Sequence, residues 1–134
     1  MSGEHDLDTL LATMTAKLAP ETYVFVTLAP DAVPAGITPR MMFNEAEGVT
    51  LILTRDTAEH AGLEWEFACR MITLDVHSAL EAVGFIARVA SALAAAGMGV
   101  NPVSGFYHDH LFVPDGRQDD ALAVIARIAS EARA

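Results

Sequence analysis

An α+β fold built as two small lobes, each a mostly antiparallel sheet with helices on one face, is the class that this 134-residue sequence predicts. From about Cys69 to Ala129 the patterns run strand, helix, strand, strand, helix, which is most of a ferredoxin-like βαββαβ half-sandwich. The first half reads helix, three strands, helix at similar spacing, so the chain repeats at the level of pattern although direct identity between the halves is weak. A hydrophobic fraction of 52% calls for a packed core rather than a disordered chain. The expected division is an N-terminal lobe over residues 1–65 and a C-terminal lobe over 66–134.

Each element has its own signal. Leu7, Leu10, Leu11, Met14 and Leu18 recur at helical spacing, and Pro20 ends that helix. Tyr23 to Leu28 is β-branched and aromatic, a buried strand. Ala29 to Pro39 holds three prolines and a glycine and reads as a loop. Arg40–Asn44 and Val49–Thr54 flank Glu45-Ala46-Glu47-Gly48 as a hairpin. Asp56, with Glu59 three residues on, signals the start of a short helix.

Glu66 to Val76 is the longest strand expected, with Ile72, Leu74 and Val76 on one face and Met71, Thr73 and Asp75 on the other. Ser78-Ala79-Leu80-Glu81 has the form of a capping box and predicts a helix start there. Phe85, Ile86, Val89, Ala90 and Leu93 supply the buried stripe of that helix, and Gly97 closes it. Two short strands follow, then a last helix whose apolar face is Ala121, Leu122, Val124, Ile125, Ile128 and Ala129.

Charge narrows the partners. Eighteen acidic against eight basic residues give a net charge of −10, so there is no basic face for nucleic acid and none for an anionic membrane. No apolar run approaches the ~20 residues that span a bilayer. The opening MSGEHDLD lacks the pattern of a secretory signal. With a single cysteine, Cys69, no disulfide framework is available, and a cytoplasmic location is expected. Cys69 itself reads as a small buried hydrophobe.

The most reactive-looking string is Tyr107-His108-Asp109-His110. On a strand, His108 and His110 point the same way and could hold a metal, with His77 as a third ligand and Asp109 on the opposite face. The competing reading, which we prefer, is that these residues fix a hairpin. Glu45 and Glu47 read as solvated turn residues. No catalytic residue, metal or cofactor is assigned from the sequence.

Phe43-Asn44-Glu45-Ala46-Glu47-Gly48-Val49-Thr50, Ser78-Ala79-Leu80-Glu81-Ala82-Val83-Gly84 and Tyr107-His108-Asp109-His110-Leu111-Phe112-Val113-Pro114 resemble a group of small bacterial proteins built from two tandem ACT domains. That group is similar to the regulatory part of aspartate kinases. The resemblance implies a regulatory or sensor protein that binds a small ligand, most plausibly an amino acid, and pairs with a second copy through its sheets. It also implies a site between the loop after a lobe's first strand and the second strand of a neighbouring ACT unit. Mapped here, the site residues are Ser78, Leu80, Glu81, Val83 and Gly84 of the loop, with Asn101, Pro102 and Val103 of the facing strand. A helix N-terminus offers N–H groups to a carboxylate, and Glu81 would pair with an ammonium. Two other expectations compete: a small metal-dependent enzyme using His108 and His110, and a structural partner that docks on a separately encoded enzyme.

Overall fold

The longest strand is not the expected Glu66–Val76 but one that begins where the sequence promised a helix. A computed structural model describes residues 3–134. In it the first helix, α1 (Leu7–Thr13), lasts only seven residues and β1 (Ala16–Leu28) follows almost at once. Asp6 caps α1, accepting hydrogen bonds from the Thr9 N–H at 2.9 Å and the Thr9 hydroxyl at 2.7 Å. Met14 is already extended, and the Thr13 hydroxyl bonds back to the Thr9 carbonyl, a competitor of helix continuation. The expected helix to Leu18 is therefore wrong at its end. Met14 and Leu18 pack on the same core as Leu10 and Leu11, which is why their spacing looked helical. Pro20 lies inside β1, ahead of the stretch from Tyr23 onward that pairs with a neighbouring strand.

The chain divides into two compact units, Met1–Ala19 with Arg70–Ala134 and, separately, Pro20–Cys69. Packing units and sequence halves thus differ: α1 belongs with the C-terminal segment.

In the smaller unit the strand order is β2 (Met41–Asn44), β3 (Val49–Thr54), β1, β4 (Glu66–Leu74). β2 and β3 form the expected hairpin, with Asn44 opposite Val49. Gly48 has φ 155°, and a Cβ there would sit 2.9 Å from the Leu28 carbonyl oxygen, so the turn needs glycine. Val24, Val26, Leu51 and Leu53 alternate onto one face and bury against Ala58 of the short helix α2 (Arg55–His60). The cap of α2 is Thr54, whose hydroxyl accepts from the Thr57 N–H, and not the expected Asp56 with Glu59.

In the larger unit the order is β1, β4, β6 (Asp109–Pro114), β5 (Asn101–Ser104). α1, α3 (Phe85–Ala95) and α4 (Gln118–Arg133) pack on one another and bury Ile72, Leu74, Val89, Leu93, Leu111, Val113 and Ile125. Mixed α+β lobes of ferredoxin-like type are the observed fold, as the sequence predicts.

Candidate functional site

β5 and β6 pair antiparallel from Asn101 opposite Phe112 to Ser104 opposite Asp109, and Gly105–His108 make the turn. Along β6, Leu111 and Val113 face the core. Strand alternation puts Asp109 on that same face, so a carboxylate occupies a position where the pattern calls for an apolar residue. Asp109 is 6% exposed. One of its carboxylate oxygens accepts from the Ser104 hydroxyl at 2.5 Å, the other from the Ser78 hydroxyl at 3.2 Å.

These three residues border a small cavity of about 70 Å³, lined also by Ala79, Leu80, Ala82, Phe85, Ile86 and Gly105. Its outer wall is the loop that follows β4. Backbone hydrogen bonds fasten that loop from outside: the Glu4 N–H donates to the His77 carbonyl at 2.8 Å, and the Ala79 N–H to the Glu4 carbonyl at 2.9 Å.

The expected capping box is absent from this loop. α3 begins at Phe85, behind Gly84 in a left-handed conformation (φ 91°), with no side chain capping it. Ser78 is spent on Asp109 instead, because a buried carboxylate is a stronger acceptor for its hydroxyl than a helix end six residues away is a donor. Of the residues mapped to the site, Ser78 and Leu80 line the cavity. Glu81 and Val83 are exposed, and Gly84 sits at the helix mouth. Asn101 and Pro102 are exposed on β5 and Val103 is half-buried. The mapping missed the polar residues Asp109 and Ser104, as well as Gly105 and the apolar Ala79, Ala82, Phe85 and Ile86; the polar first member of the alternating series Asp109, Leu111, Val113 was the available signal.

His108 and His110 do not form a pair of ligands. His108 precedes β6; its Nδ1 lies 3.2 Å from the Val76 carbonyl oxygen and its Nε2 3.9 Å from Asp75, which also meets Lys17. Nδ1 of His110 is 2.9 Å from the Thr73 hydroxyl on β4. The His77 ring lies against Tyr107 and Phe106 instead. Among the described residues, no three His, Cys, Asp or Glu side chains cluster as a metal site.

The smaller unit holds a wider concavity of about 810 Å³ on the sheet face opposite α2, lined by Phe25, Thr27, Glu45, Thr50, Trp65 and Glu66 among others. Glu45 accepts from the Thr50 hydroxyl there, so it is a turn residue with a local partner. Phe67, whose ring lies 5.9 Å from that of Phe25, has φ 57°, an uncommon backbone for a bulky residue.

Among the described residues, no helix is long and apolar enough to cross a membrane. Strand order and helix placement define the ACT type of domain, a regulatory class of ferredoxin-like fold. The chain belongs to the ACT-domain family: two models of the ACT domain match it in tandem, over residues 2–70 and 66–127. Among solved structures it is similar to a Vibrio cholerae protein of unknown function, described as a possible transport protein. That likeness has 38% identity and a TM-score of 0.81, covering 92% of this chain and 95% of the other. It is also similar to an Agrobacterium tumefaciens protein (19% identity, TM-score 0.74, 87% and 89% covered). The regulatory subunit of aspartate kinase from Thermus thermophilus, in its ligand-free form, shares the fold at 12% identity and a TM-score of 0.67, over 88% and 97% of the two chains. No curated protein matches.

Proposed function

We propose that this protein is an amino-acid-binding sensor that acts through pairing of ACT domains. The observation that supports the reading best is the small, partly open cavity behind the loop after β4, with a buried carboxylate on its inner wall. A purely structural hairpin has no need of a charge at a core-facing position. The ligand would be held by Ser78, Leu80, Glu81, Val83 and Gly84 of the loop. Asn101, Pro102 and Val103 would come from β5 of a second copy, since β5 pairs on one side only, with β6. A homodimer through such sheet edges satisfies backbone groups that otherwise face water.

The mechanism is population shift. A ligand that bridges two copies favours the arrangement in which both halves of its site are complete. Moving that equilibrium from 1:99 to 99:1 takes about 5.5 kcal/mol of differential binding, within reach of a small charged ligand. The reading carries a cytoplasmic location with it, where the buried Cys69 thiol stays reduced.

The test is a thermal-shift panel of the twenty amino acids, followed by calorimetry and light scattering on any hit. A saturable rise in Tm with one class of amino acid, together with a ligand-dependent change in mass, is the expected result. A flat panel overturns the reading and moves attention to a protein partner.

A further inference from the structure

Among the described residues, no cationic side chain meets the buried Asp109 carboxylate. The ion pairs of the described residues join Lys17 and His108 to Asp75, Arg117 to Asp120 and Arg127 to Glu131; none involves Asp109. A buried charge left this way is costly, and two serine hydroxyls meet only part of the cost. An ionised carboxylate offers about four acceptor positions. Ser78 and Ser104 fill one on each oxygen, which leaves one on each. Each hydroxyl, having donated its proton to Asp109, keeps lone pairs of its own. Carboxylate and two hydroxyls thus present three acceptor groups on the wall of one small, partly open space.

The size of that space selects the donor. At about 70 Å³ it is far below the roughly 300–1,000 Å³ of a pocket that swallows a drug-sized ligand. It suits something of the size of one or two waters, each about 30 Å³ in the liquid. A transition metal or zinc lacks the ligand set, since no three metal-binding side chains come together among the described residues. A primary ammonium has the right bulk, the right charge and three N–H donors.

We propose that this cavity is a head-group site for a primary ammonium ion, with Asp109, Ser78 and Ser104 as its three acceptors and the rest of the ligand lying outward over Leu80. Leu80 lines the cavity and is also 66% exposed, so it offers an apolar shelf at the mouth. The inference rests on the cavity being the ligand site, and it transfers recognition of the ammonium from the exposed Glu81 to the buried Asp109. It also makes the site selective against 2-oxo acids and other carboxylates that lack the amine, because their oxygens would face the Asp109 charge.

The experiment is a titration of the ¹⁵N-labelled protein with methylammonium chloride, with tetramethylammonium chloride and potassium chloride at equal ionic strength as controls. Saturable shifts of the Ser78, Ser104, Gly105 and Asp109 amides are expected with methylammonium alone. Tetramethylammonium has the charge but no N–H donor, and potassium has no directed donors. The wild-type comparison decides the matter even if a variant fails to fold: no saturable shift at those amides, or the same shift with either control salt, overturns the proposal. Asp109→Asn should weaken methylammonium about tenfold or more, and Ser104→Ala, which leaves the charge in place, by less. The amino-acid panel separates this inference from the wider function. Methylammonium seated at Asp109 with a flat panel keeps the head-group site and removes the sensor reading. An amino acid that binds wild type and Asp109→Asn equally well does the reverse.

Discussion

The two compact units of this chain make opposite use of the same kind of sheet. In the larger unit three helices bury a continuous core, and Asp109, the one buried charged residue among those described, lies with two hydroxyls beside a small cavity. In the smaller unit the six-residue helix α2 covers one face, and the other face forms a wide concavity whose acidic residues, Glu45, Glu64 and Glu66, are exposed. Local fold type is therefore a poor guide to where a ligand is recognised. Depth of burial separates the two better, because a charge acts more strongly where water cannot screen it.

The sharpest way to break this contrast is to remove the same side chain from each core. Leu111→Ala in the larger unit should cost about 4 kcal/mol, and Leu51→Ala in the smaller one about 3 kcal/mol. Both leucines are fully buried, but the smaller core borders half-exposed Val33 and Ile37, which can close in on a void. Urea unfolding measures both, and equal costs would mean that helix cover does not set core rigidity here. Gly84→Val comes next, at about 2 kcal/mol, since φ 91° is a conformation that a branched side chain resists. That loss would appear as a lower Tm without ligand, so any change in binding by this variant has to be read against its lower stability.

Thr54→Ala should cost about 1 kcal/mol, the ordinary price of a helix cap. Hydrogen exchange should localise the loss to Arg55–His60; a rise spread through the chain would show that the smaller unit has no local opening of its own. The smallest effect is in acid. Hydrogen bonds from the Thr9 hydroxyl and N–H hold the Asp6 carboxyl below its usual 3.8. A folded-state pKa that is depressed stabilises fully above the unfolded value and is lost as pH falls through the folded one. Asp6→Asn should therefore lower stability slightly near neutrality, where the ionised cap acts in full, and match wild type in strong acid, so that its loss on acidification is smaller. A pH profile identical to wild type would show that the cap contributes nothing to acid sensitivity.

Much of the fold was legible because it rests on local patterns. The Glu45–Gly48 turn, the Phe85–Leu93 stripe closed by Gly97 and the apolar face of α4 are all written in short-range spacing. What escaped the sequence depends on distant partners. Met14 and Leu18 fit a helix because a strand leading into the same core can bury residues at that interval too. Ser78 and Glu81 have the spacing of a capping box, yet Ser78 answers to Asp109, thirty-one residues away. Asp109 was placed on the face opposite its histidine neighbours, which is where it lies, but nothing local showed that this face is the buried one or that two serines meet there.

The backbone pairing between Glu4 and the loop after β4 has a consequence for mutational tolerance. Both of its hydrogen bonds run between main-chain atoms, and the exposed Glu4 carboxylate adds only an acceptor for the Asp6 N–H at 3.2 Å, so most changes at position 4 other than proline should cost little. One residue earlier the opposite holds: Gly3 has φ 98°, and a Cβ there would stand 2.7 Å from the Ala79 nitrogen. A saturation map of these neighbours should show one permissive column beside one nearly blank. The blank column marks where the outer wall of the cavity is held by a part of the sequence that does not line it.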